Sequence, residues 1–159
     1  MMDLNLQISL DVKGSKYDGN LKEIMKINEA DLMNEFINQP STYAWFAALS
    51  EISSAEVELK KFNLSVLEAN LDKKKREELS VNDKKVTESM VKSAIQSDAK
   101  FIALNEELLE LQRQYGILRA IVGSLHQRKD MLIQIGSMKR QEMMLDDFGV
   151  SLKKVRENK

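Results

Sequence analysis

Eight basic side chains, Lys60, Lys61, Lys73, Lys74, Lys75, Arg76, Lys84 and Lys85, crowd one stretch of this chain. Clustered ammonium and guanidinium groups do one kind of chemistry well: they hold phosphates, releasing condensed counterions and giving affinity without sequence preference. Against Glu68, Asp72, Glu77, Glu78 and Asp83 the local excess is three positive charges. That is little for one chain, but an oligomer repeats it. No aromatic ring lies among Lys73 to Lys85, so contact with a backbone is favoured over base stacking. The competing reading is a solvated, charged face on a long helix.

Other residues that could do chemistry do not assemble into a constellation. His126 is the only histidine, and no glutamate or second histidine stands at ligand spacing from it, so a helix-flank position is expected. Glu106 with Glu107, Glu77 with Glu78, and Asp146 with Asp147 are adjacent in sequence and diverge on a helix. Phosphate-cradling glycine loops and a nucleophile elbow are missing, and there is no cysteine for thiolate or disulfide chemistry. A non-enzymatic protein with no cofactor and no metal is the expectation. The formal net charge of −1 restricts any nucleic-acid contact to local segregation of charge. No apolar run approaches the roughly 20 residues that span a bilayer, and the N-terminus lacks the pattern of a secretory signal. No membrane partner and an intracellular location are therefore expected.

The elements that must position the basic cluster are helical. Leu104, Leu108, Leu111, Tyr115, Leu118, Val122 and Leu125 fall at alternating spacings of four and three, within a proline-free run from Thr87 to Met144. Such a seam keeps one stripe against a partner helix and marks these seven residues as an oligomerisation surface. Upstream, Trp45, Leu49, Ile52, Leu59, Phe62 and Val66 predict a second long helix, opened by Ser41 or Thr42 and ending near Leu79. Residues 80–85 read as the loop between two antiparallel helices. A shorter helix, from Leu21 or Glu29 to Asn38, is expected to be capped by Asn28, with Asp31 three residues on. Its apolar face is Leu32, Met33, Phe36 and Ile37, and Pro40 is expected to end it. Gly116 and Gly123, one heptad apart, permit close helix approach or a kink, or are simply tolerated. Met131, Met138, Met143 and Met144 read as core filling or as a soft binding surface.

The chain opens differently. Leu4, Leu6, Ile8, Leu10 and Val12 alternate with polar residues, a strand pattern. With no second strand of comparable quality, its partner is expected to be a helix surface or the same strand of another copy, the alternative being a flexible arm. Gly14, Ser15, Asp18 and Gly19 supply turn chemistry. The expected fold is thus mainly α: a long antiparallel helical hairpin with a short preceding helix and an N-terminal strand-like arm, assembling into a helical oligomer. Its parts are an arm and turn over 1–19, a helical domain for oligomerisation and DNA binding over 20–145, and a tail over 146–159.

Leu21, Ile27, Asn28, Leu32, Glu35, Pro40 and Tyr43 begin a spaced pattern. It continues with Leu67 to Asp72 (LEANLD), Glu88 to Lys92 with Asp98, Tyr115 to Leu118 (YGIL), and Gly123 to Leu125 (GSL). This pattern, over roughly Leu21 to Met143, resembles the UvsY family of recombination mediators of T-even bacteriophages. The resemblance implies a small helical protein that forms a ring-like oligomer and binds single-stranded DNA. It also implies partners: a recombinase and the single-strand-binding protein of the same phage, in the cytoplasm of an infected bacterial host. In one place the chain departs from the pattern. The family's lysine-alanine-arginine-leucine DNA-contact stretch falls on Glu68, Ala69, Asn70 and Leu71, so both basic side chains are missing. The nearest substitutes are Lys73, Lys74, Lys75 and Arg76, about one helical turn away. A coiled-coil scaffold or phage assembly protein without DNA binding is the other function class.

Overall fold

The computed structural model describes residues 7–80 and 86–157, with side chains as far as residue 145. The order is β1 (Gln7–Val12), β2 (Ser15–Asn20), α1 (Leu21–Met25), a 3-10 turn (Glu29–Asp31), α2 (Leu32–Ser80), α3 (Glu88–Gln96) and α4 (Ala99–Glu157). Two compact units share these elements: one of Met1–Asp11, Lys16–Phe46 and Ala120–Lys159, the other of Val12–Ser15 and Ala47–Arg119. Both long helices run through both units, so the expected 20–145 domain is divided between them.

The expected strand is present, although Leu4 and Leu6 lie outside the described residues. Ile8, Leu10 and Val12 are buried on one face of β1 and their neighbours are exposed. Its hydrogen-bonded partner is a second strand, β2, with the poor strand sequence SKYDGN, in a two-stranded sheet. The turn makes that pairing: Lys13 (φ 49°) and Gly14 (φ 82°) both take positive φ, as the two central residues of a type I′ hairpin turn must. The hairpin meets α2 through Tyr17, which lies against Trp45 and Phe46. Asp18 and Gly19, expected in a turn, lie in β2.

Asn28 caps as expected, its side-chain oxygen accepting from the Ala30 amide at 3.1 Å. The reciprocal bond comes from farther along. The Asn28 amide donates to Glu35 Oε1 at 2.9 Å, while Asp31 accepts from the Asn34 amide at 3.4 Å.

Pro40 does not end the helix that follows. It lies inside α2, nine positions from the start. Proline removes one backbone donor and strains the preceding turn, but both flanks are anchored. Gln39 is buried and donates to the Leu125 carbonyl at 2.8 Å, and Phe46 and Leu49 are buried about two turns and two and a half turns on. The predicted inner face of this first part is corrected in part: Met33 and Ile37 are exposed, whereas Leu32 is half-buried and the Phe36 ring lies against Gly136 of α4.

The rest of α2 carries two apolar stripes. Phe46, Leu49, Ser53, Val57 and Leu71 are buried, whereas Trp45, Ile52, Leu59, Phe62 and Val66 are exposed. Of the predicted inner stripe Leu49 is buried, and Trp45, though partly exposed, packs against Tyr17 of β2. Both stripes have helical spacing, and the sequence pattern favoured the one with larger side chains.

The return path is antiparallel: Gln39 meets residue 125, Lys60 meets Glu107, and Arg76 meets Glu88. Thr87 starts it, accepting from the Met90 amide at 3.4 Å. The single long helix expected from there is broken at Ser97 and Asp98. The Ser97 hydroxyl and amide both donate to the Ser93 carbonyl, and Asp98 Oδ1 accepts from the Lys100 amide at 3.0 Å. Short polar side chains thus close one helix and cap the next. From Ala99 the helix continues to Glu157, through most of the segment expected to be a tail.

The seven seam residues are turned inward within the single chain. Leu108, Leu118 and Leu125 are buried, and Leu104, Leu111, Tyr115 and Val122 half-buried. Near the hairpin end, Leu71, Val91 and Ile95 form a core cluster with Leu67, Leu79, Val86 and Phe101 against it. Gly116 and Gly123 face open space, so no close approach occurs at either within the chain. Met131, Met138, Met143 and Met144 are exposed and fill no core.

Candidate nucleic-acid interface

Six of the eight basic candidates lie on α2; Lys84 and Lys85 fall outside the described residues. Consecutive helical residues turn by about 100°, so Lys73, Lys74, Lys75 and Arg76 radiate around α2 and do not share one face. Lys60 and Lys61 lie a further 12 or so residues back, about 20 Å along the helix.

Carboxylates come both from α2 itself and from the returning chain beside it. Lys60 Nζ is 2.7 Å from Glu107, and Lys61 Nζ is 2.8 Å from Glu58. Lys74 approaches Glu78 at 3.7 Å. Lys75, only 20% exposed in its side chain, lies between Glu78 at 3.1 Å and Asp98 at 3.7 Å. Arg76 forks onto Asp72 at 2.7 Å and reaches Glu88 at 2.6 Å. The hydrogen bonds that Arg76 donates to Glu88 and Asp72 raise its pKa, and the bond to Glu88 holds that carboxyl below the usual range. Among the described residues Lys73 is the one candidate with no ion pair. Lys75 and Arg76 therefore serve mainly to tie α2 to α3 and to the start of α4. Lys61, Lys73 and Lys74 are exposed, with at most weak surface pairs.

The stretch Glu68 to Leu71 has its own surroundings. Glu68 and Ala69 line a groove of about 680 Å³ together with Asp72, Glu88, Lys92 and Ser93. Three carboxylates against one ammonium make it a poor phosphate site. Lys92 is a residue the charge-cluster reading passed over, and its only sequence signal is its place in the spaced pattern. Farther along α4 a similar neutralisation recurs: Arg113 forks onto Glu110 and, with Gln114, holds that carboxyl down to about 2.

His126 is exposed on α4 and lines a small groove with Gln39, Pro40, Tyr43 and Lys129. Among the described residues no three potential metal ligands gather, and no helix is long and apolar enough to cross a membrane. Set beside known protein families, characterised proteins and solved structures, the chain matches none of them.

Proposed function

We propose that this protein is a non-enzymatic recombination mediator of the UvsY type. In this reading it binds single-stranded DNA as an oligomer and helps load a phage recombinase onto DNA covered by single-strand-binding protein, in the cytoplasm of an infected bacterium. One observation carries the reading: residues of the spaced pattern, far apart in sequence, make contacts with one another that hold the fold. Leu67 and Leu71 of LEANLD pack with Val91 of the Glu88 to Lys92 stretch. The Asn28 amide bonds Glu35. Leu118 of YGIL and Leu125 of GSL are fully buried. A pattern made of packing positions supports a shared fold better than matches scattered over a surface would.

The phosphate contacts belong to Lys61, Lys73 and Lys74, the candidates left exposed, and not to Lys75 and Arg76. Fluorescence anisotropy with a labelled single strand, run across a salt series, tests this. Wild type is expected to bind with a steep salt slope. Changing Lys61, Lys73 and Lys74 to alanine is expected to weaken binding and lower that slope by about 2 per bound subunit, from about 0.7 per lost contact. Absence of binding at low salt would sink the mediator reading. The scaffold reading has one observation in its favour, the carboxylate held by every described candidate except Lys73, and it predicts an oligomer without DNA affinity.

A further inference from the structure

The outer face of α2 has the pattern of a coiled-coil seam that the described residues leave exposed, its Ala69 end bordering the groove beside α3. Ile52, Ala55, Leu59, Phe62, Val66 and Ala69 follow at alternating spacings of three and four. All six are exposed, Leu59 by 61% and Phe62 by 64%. The sustained register specifies a helix as the occupant.

We infer that this seam pairs with the same seam of a second copy, antiparallel, about a twofold axis between the Leu59 and Phe62 layers. Side-chain volume decides the direction. In a parallel pair each layer meets itself, so Ala55 would face the partner's Ala55 and Ala69 the partner's Ala69, leaving voids next to a Phe62 pair. The antiparallel pair sets Ile52 against the partner's Ala69, Ala55 against the partner's Val66, and Leu59 against the partner's Phe62. Every alanine meets a large side chain, which is how cores reach native density. Charge does not set the direction: parallel helices place Glu51 beside the partner's Glu56, and the antiparallel register places it beside the partner's Asp72. The interface is self-complementary, as a twofold contact must be, and it does not depend on the DNA reading.

The chain has no cysteine, so introduced thiols report geometry directly. Residues 52 and 69 stand about 26 Å apart on one helix, beyond any disulfide. The Ile52→Cys/Ala69→Cys variant is expected to oxidise to a covalent dimer, and Ile52→Cys alone is not. Sedimentation equilibrium of Leu59→Glu/Phe62→Glu is expected to give half the wild-type mass with unchanged helical circular dichroism, since both residues are exposed in the single chain. A wild-type mass equal to one chain, a mass that the two glutamates leave unchanged, or a cross-link from Ile52→Cys alone overturns the inference.

Discussion

Arg128 shows how much of one unit hangs on a single side chain. It projects from α4 to the Lys26 carbonyl at 2.9 Å, the Gln39 side-chain oxygen and the Glu35 carboxylate. Its side chain is 10% exposed and that of Glu35 19%. Glu35 in turn accepts from the Asn28 amide, so the arginine braces the cap at the start of α2. Arg128→Met is expected to destabilise the fold by about 3 kcal/mol in urea unfolding, because it leaves the carboxylate poorly compensated. The same site sets a pH dependence. The Asn28 amide first, and then Arg128, hold the Glu35 carboxyl below its ordinary value against the opposing effect of burial. Its folded pKa therefore lies under its unfolded one. The stabilisation is fully present above about pH 4.3, the unfolded value, and is lost as pH falls through the folded value. Glu35→Gln is expected to flatten the acid side of a stability profile below about that pH, measured as urea midpoint against pH.

At the scale of elements, helix termini and interruptions were the hard part to read. The two long antiparallel helices were legible because their heptad spacing persists over many turns, and one apolar stripe, buried on α4 and exposed on α2, suffices to define each. The inner side of α2 was not legible, since two stripes compete on it and only packing distinguishes them. The Ser97–Asp98 break and the β2 strand were missed for a common reason: each depends on backbone hydrogen bonds that polar residues of weak propensity complete. Pro40 was read by a local rule that tertiary anchoring overrides. Pro40→Ala restores a donor near the Phe36 carbonyl and is expected to raise stability by about 1 to 3 kcal/mol in thermal unfolding. Gly116→Ala and Gly123→Ala are each expected to add about 0.5 to 1 kcal/mol, since an added Cβ meets no atom within 4 Å at either position. A loss of stability at either would place a second chain close against that face of α4.

For the whole molecule, the proposed phosphate binding and the inferred self-association are separable, because they would use different residues of α2. The basic cluster was legible as residue types, but its neutralisation was not. Glu88, Asp98 and Glu107 are brought to Arg76, Lys75 and Lys60 by the antiparallel return, across 12 to 47 positions of sequence. What remains exposed on one chain is a few lysines, too little for firm binding at physiological salt when each phosphate contact contributes weakly. On the proposed reading, affinity comes from several copies engaging one strand, where the second contact is intramolecular and benefits from high effective concentration. Two variants divide these contributions. Changing Lys61, Lys73 and Lys74 to alanine is expected to lower affinity for a long single strand while leaving oligomer mass intact. Changing Leu59 and Phe62 to glutamate is expected to halve the mass and lower affinity for a long strand by tenfold or more, with little change for a strand so short that it reaches one chain. Anisotropy with oligonucleotides of graded length checks both. If the glutamate variant keeps full affinity for the long strand, assembly through α2 contributes nothing to DNA binding, and the lysines of one chain act alone.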